Sequence, residues 1–211
     1  MRGGTFTYHG AFKPAQDGTV QVAATRATLM RTNVQTVTIT RSVRIKGQIS
    51  TLGATGEQVT IQARPRGTTG WSDVAQVSTK NQFFVATLKP RRTTVYRAVW
   101  HNVPSNAHTV FVKPLVRIKQ LGRTRIEVGV HADVRLAGHR VLLQRFNKRT
   151  HRWSSFTSVR LRHVKANRTE YDSTGSIRLL LPHGVIIRAL ITRAQAGPFM
   201  YGPAWSTARR L

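Results

Sequence analysis

Val43-Arg44-Ile45-Lys46-Gly47-Gln48-Ile49 decides the fold class. Apolar residues stand at every second position with Arg44, Lys46 and Gln48 between them, the period of a strand with one face in a core and one in water. Val34-Gln35-Thr36-Val37-Thr38-Ile39-Thr40 just ahead of it alternates in the same way, and so do Val59-Thr60-Ile61-Gln62-Ala63, Phe83–Leu88 and Val95–Trp100. Further on, Val110–Val112, Val116-Arg117-Ile118, Ile126–Val130, Val141–Leu143, Val159–Leu161, Ile177–Leu181 and Val185–Ala189 continue the series. Between these runs lie turn-forming clusters: Gly53-Ala54-Thr55-Gly56, Arg66-Gly67-Thr68-Thr69-Gly70, Lys89-Pro90 and Pro182-His183-Gly184. No stretch holds a 3.6-residue period. The chain reads as all-β, with short strands at the spacing of a sandwich or barrel.

An internal repeat refines this. Gly56-Glu57-Gln58-Val59-Thr60-Ile61-Gln62 aligns with Gly138-His139-Arg140-Val141-Leu142-Leu143-Gln144, an offset of 82 positions that also carries Trp71-Ser72 onto Trp153-Ser154 and Val77 onto Val159. By Tyr96-Arg97-Ala98 against Ile187-Arg188-Ala189 the offset has grown to 91, so the second copy holds an insertion, placed around His163–Asp172. Two copies of this size divide 211 residues naturally. The expected division is residues 34–114 and 115–211, joined at Pro114 by a linker too short for free swinging. Residues 1–33 stand apart. Asp17-Gly18 would turn a hairpin between Thr5–Tyr8 and Val20–Ala23, or the segment is what remains of a preceding module; the second reading is favoured, because no signal peptide is visible after Met1.

The shared pattern is G-x-x-V-x-[IL]-Q, then Trp-Ser, then a strand containing Arg-Ala, with Asp172-Ser173-Thr174-Gly175-Ser176-Ile177 as a D-x-x-G-x-apolar turn in the second copy. It resembles the immunoglobulin-like and fibronectin-III-like modules that recur in secreted and cell-envelope proteins of high-GC Gram-positive bacteria. Ser105–Pro114 also resembles that family's last strand and linker. The first copy departs from the pattern at Thr79-Lys80-Asn81-Gln82-Phe83. The resemblance implies two tandem antiparallel Ig-like β-sandwiches, an extracellular or cell-envelope location, neighbouring modules in a longer chain, and a spacer or adhesion role without catalysis.

Composition excludes several chemistries. Cysteine is absent, which removes disulfide frameworks, thiolate metal sites and Cys nucleophiles. No apolar run reaches the length of a membrane span. The acids Asp17, Glu57, Asp73, Glu127, Asp133, Glu170 and Asp172 show no pairing of the kind a glycosidase needs, and G-x-S-x-G does not occur. The eight histidines lack zinc-ligand spacing. His131 and Asp133 share a strand face, but a third metal ligand would have to come from His139 or His163 by the fold. No metal and no organic cofactor is expected, and the chain reads as a non-enzyme. Trp71 and Trp153, being repeat-equivalent, read as largely buried core or core-edge residues rather than sugar-stacking platforms. The aromatic segment Phe199–Trp205 reads as packing on the second module, or as aromatics offered to a partner.

Charge is the abnormal feature: 34 Lys+Arg against 7 Asp+Glu, a net +27. Arginine enrichment follows from a GC-rich genome, but scarcity of acids does not, and self-repulsion at this charge favours an anionic partner. Strand alternation sends Arg160, Arg162, Arg178 and Arg188 outward, and Lys148, Arg149 and Arg152 fill the loop before Trp153. These seven residues are the expected anion-binding surface. Its partners would be anionic polymers bound without sequence specificity: a cell-wall polymer, an acidic polysaccharide or nucleic acid. The last defines an alternative reading, an intracellular nucleic-acid-binding protein, although no helix-turn-helix, RRM or basic zipper is recognisable.

Overall fold

The computed structural model describes residues 5–8, 18–21, 27–167 and 169–211, and every regular element in it is a strand. β1 (Thr5–Tyr8) and β2 (Gly18–Gln21) pair antiparallel, Thr5 opposite Gln21 and Tyr8 opposite Gly18, which is the hairpin alternative for this segment. Asp17, the other half of the expected turn, lies outside the described residues.

The next strands are β3 (Ala27–Thr32), β4 (Thr36–Thr38), β5 (Val43–Ile49), β6 (Gln58–Pro65), β7 (Ser72–Ser78), β8 (Phe83–Leu88), β9 (Thr94–Trp100) and β10 (Val103–Lys113). They form two sheets, ordered β3-β5-β8 and β4-β10-β9-β6-β7. After Pro114 come β11 (Leu115–Gln120), β12 (Arg125–Ala132), β13 (Arg140–Asn147), β14 (Arg152–Arg160), β15 (His163–Asn167), β16 (Glu170–Arg178), β17 (Ile186–Ile191), β18 (Ala204–Trp205) and β19 (Arg209–Arg210). Their sheets are β11-β12-β16-β15 and β14-β13-β17-β18, with β19 also on β17. Among the described strands each sheet draws on one side of Pro114, and pairing is antiparallel except between β4 and β10.

Alternation does what the sequence demands. Val43, Ile45, Val59, Ile61, Phe84, Ala98, Val110 and Val112 are buried between the first two sheets, and Val128, Val130, Val141, Leu143, Val159, Ile187 and Ala189 between the second two. Each such Val, Leu or Ile contributes about 1.5–3 kcal/mol relative to exposure. The repeat persists to single hydrogen bonds. Gly56 and Gly138 share a left-handed backbone (φ 88° and 87°) that admits glycine best. Their N–H groups donate to the carbonyls of Thr79 and Leu161, while Thr79 and Leu161 donate back to Glu57 and His139, 82 positions apart throughout. The insertion in the second copy builds β15, an extra edge strand on β16.

Two expectations need correction. The boundary at residue 34 falls too late: β3 pairs with β5, so residues 27–32 belong to the first module's sheet. A register shift between Leu29 and Arg31 interrupts their alternation. The second correction concerns Trp71 and Trp153, which are half-buried on the outer faces of their sheets rather than in the cores. Counting by twos from the inward Val77 and Val159 sends both indoles inside. The ladders, however, slip between Ile61 and Gln62 and between Leu143 and Gln144: Ile61 faces Ala75 but Gln62 faces Asp73, and Leu143 faces Thr157 but Gln144 faces Ser155. The skipped residues, Val74 and Phe156, are bulges. Each adds one position, reverses the alternation beyond it and turns its tryptophan outward. Both bulged side chains are exposed. The buried tryptophan is instead Trp100, whose indole N–H donates to Glu57 Oε2 at 3.0 Å.

Candidate anion-binding surface

The outward tryptophans each anchor the same assembly. In the first module the Arg97 guanidinium lies 4.3 Å over the Trp71 ring, and its Nε donates to Gln62 Oε1 at 2.8 Å. In the second, Arg188 lies 4.2 Å over Trp153, and its Nε donates to Gln144 Oε1 at 2.8 Å. Stacking and one hydrogen bond fix the guanidinium plane, and among the described residues its terminal amino groups have no hydrogen-bond partner. A held guanidinium fork with a free edge suits bidentate contact with a carboxylate, phosphate or sulfate. Burial lowers the Arg188 pKa from its usual range, but an arginine has ample margin to remain charged.

Beyond Arg64 on Trp71 against Phe146 on Trp153, the two assemblies differ at the position across from the glutamine. Gln62 Nε2 donates to Asp73 Oδ1 at 2.9 Å, so the first module sets a carboxylate beside its stack. Gln144 Nε2 donates instead to Ser155 Oγ at 3.2 Å, and the second stack has no such countercharge. Arg188 also lies 5.5 Å from the Trp205 ring, and Lys113 of β10 lies 5.6 Å from that ring and 5.8 Å from Tyr201. Arg188, Trp205 and Lys113 thus make a row that passes from the second module onto the first.

The row exists because residues 199–201 cross the junction. Thr93 N–H donates to the Phe199 carbonyl at 3.1 Å, and Tyr201 N–H donates to the Val112 carbonyl at 2.7 Å. Arg92 lies 4.5 Å over the Phe199 ring, and Tyr201 packs on Phe111 with centroids 4.6 Å apart. Of the segment expected on the second module, Ala204 and Trp205 do pair with β17, whereas Phe199–Tyr201 clasp the first. In return, Arg92 ion-pairs with the nearly buried Asp133, and Arg91 approaches Glu170 at 3.8 Å.

The seven expected anion-binding residues do not form one surface. Lys148 and Arg149 occupy the β13–β14 turn, where Asn147 Oδ1 accepts the N–H groups of Arg149 and Thr150, and Arg152 opens β14 beside them. Arg188 belongs to the stack on the same sheet. Arg160 sits at the far end of β14, roughly 25 Å along the strand from Arg152, directly opposite Arg140. Arg162 and Arg178 lie on the other sheet, because the chain crosses over between Arg160 and His163; the Arg162 N–H donates to the Thr174 carbonyl, and Arg178 faces Arg125 across the ladder. Alternation along one strand gives side-chain direction, but membership of a sheet requires the topology.

The acids gather where the sequence offered no sign of it. His131 on β12 is buried, with Nδ1 2.9 Å from Asp172 Oδ1 and Nε2 2.8 Å from Glu170 Oε2. Glu127 lies on the same outward face of that sheet, around a recess of ≈ 270 Å³ rimmed by Arg117 and Lys119. Only the β12–β16 register, which sets His131 opposite Asp172, brings these residues together. Asp133 is engaged by Arg92, and His139 Nδ1 by the Gln195 carbonyl, so the ligands considered for a metal point elsewhere; among the described residues no group of three could hold one. No helix there is long and apolar enough to cross a membrane.

No known protein-family model matches the chain, and no curated protein is detectably similar to it.

Proposed function

We propose that this protein is a non-catalytic, envelope-associated pair of Ig-like modules that binds anionic polymers through its basic surface. One observation carries the reading: Arg91 and Arg92 are the only lysine or arginine side chains among the described residues that pair with a carboxylate. The remaining lysines and arginines among the described residues make no ion pair with a carboxylate, and the ladders even place Arg140 opposite Arg160 and Arg125 opposite Arg178. Like charges directly across strands are destabilising. A fold that keeps such pairs at net +27 is relieved by counter-anions from outside. The carboxylates of Asp172 and Glu170 are bonded to the two nitrogens of the His131 ring.

Titration of the chain with heparin, a teichoic-acid polymer and duplex DNA at several salt concentrations tests this. Engagement of some 6–10 anionic groups predicts a loss of about 10³–10⁵ in affinity between 50 and 200 mM salt. Arg160→Glu should weaken all three by similar factors while leaving the fold intact, since it replaces one of two opposed cations. Undetectable binding to every polymer at 50 mM salt refutes the reading.

A further inference from the structure

Trp205 differs from the other tryptophans in what covers it. Trp100 is buried, and the Trp71 and Trp153 rings are capped by arginines, Trp71 by both Arg64 and Arg97. Trp205 is 44% exposed on the outer face of β18, and the cations over its ring, Arg188 at 5.5 Å and Lys113 at 5.6 Å, stand farther off than the arginines at 4.2–4.8 Å on Trp71 and Trp153. We infer that the row Arg188–Trp205–Lys113 is the docking strip for an acidic polysaccharide, whose sugar ring lies on the Trp205 indole while its flanking acidic groups reach Arg188 and Lys113. This rests on the polyanion reading above and narrows it to one polymer class and one place.

Three observations converge on that occupant. An exposed indole with two loosely held cations beside it matches a chain in which acidic groups alternate with rings presenting a C–H face. A single-stranded nucleic acid stacks its bases on a succession of open aromatic faces, and here the neighbouring indole, Trp153, has Arg188 over one side and Phe146 packed at 5.2 Å. Third, Arg188 lacks the neighbouring carboxylate that its counterpart Arg97 has through Gln62 and Asp73. Asp73 and Ser155 occupy equivalent places in the repeat, so the second stack is the one left free to take an acidic group.

The test compares a size-defined heparin oligosaccharide with an oligothymidylate of equal charge, using the full chain and three variants. Trp205→Ala changes no charge, Arg188→Lys keeps the charge but loses the fork, and Ser155→Asp gives the second module the acid of the first. Each should weaken heparin binding by about tenfold, as loss of a central aromatic or arginine contact does. The salt slope should hold for Trp205→Ala and Arg188→Lys, and the oligothymidylate affinity should change by less than about twofold. Melting temperatures establish that the variants are folded; Ser155→Asp, at an exposed site, serves even if Trp205→Ala loosens β18. If wild type binds heparin and all three variants bind it equally well, the strip is refuted while the polyanion reading stands. If wild type fails to bind any anion at 50 mM salt, the broader reading falls as well. A larger loss for the oligothymidylate than for heparin refutes a polysaccharide as the occupant.

Discussion

The two modules share a bulge, a glutamine, an arginine and an outward tryptophan, yet they differ in what stands across from the glutamine: Asp73 in the first and Ser155 in the second. One sets a carboxylate two hydrogen bonds away from its arginine, through the glutamine; the other puts a neutral hydroxyl in that place. The lesson is that a repeated scaffold can be specialised by a single side chain that touches neither the stack nor the core. What the repeat conserves is the means of holding a guanidinium plane still. What it varies is whether that guanidinium is already answered.

The largest effects test whether the modules are equivalent beneath this difference. Ile61 and Leu143 are fully buried and correspond in the repeat. Ile61→Ala and Leu143→Ala should each cost about 2–5 kcal/mol, measured by denaturant unfolding. Costs within about 1 kcal/mol of each other fit equivalent cores; a cost below about 1 kcal/mol at either site breaks the correspondence.

Alkaline pH should separate the modules. Tyr96 is buried in the first, and desolvation pushes its phenol up to about 12, against a bonded Thr94 that lowers it. The equivalent residue in the second module is Ile187, which cannot ionise. A pKa raised in the folded state favours the neutral phenol there, so the stability it confers is whole below pH 10 and is lost as pH climbs toward 12. Unfolding of the first module should therefore ease over that window, and Tyr96→Phe should remove the dependence. An unchanged pH profile in Tyr96→Phe would show that other groups govern it.

The smallest effect is the most specific. Asp73→Ser should raise affinity for the heparin oligosaccharide by about two- to fivefold, the scale of one exposed charge contact. No gain would mean that Arg97 is silent for some reason other than its neighbouring acid.

Much of this fold is written in local patterns. Strands such as Val43–Ile49 alternate without interruption, and the motif Gly56–Gln62 recurs at a constant offset because the same turn, glycine and hydrogen bonds recur with it. The failures share a cause. Repeat equivalence pairs Trp71 with Trp153 but does not say which face they take; a single extra residue, Val74 or Phe156, turns each outward, and nothing in composition marks that residue. β3 escaped notice because its ladder slips between Leu29 and Arg31. The gathering of Glu170 and Asp172 about His131, and the dispersal of the basic residues over two sheets, depend on strand order, which alternation does not encode. For the anion surface, the residue types were readable and their assembly was not.

The clasp made by Phe199 and Tyr201 bears on how such a protein is inherited. A second module copied alone would carry two aromatic rings and two backbone hydrogen bonds with nothing to receive them, and a first module alone would leave Thr93 and Val112 without their partners. Any recombination that separated the two would thus expose the clasp on both sides. The pair, rather than either half, is the smallest piece that can be shuffled intact.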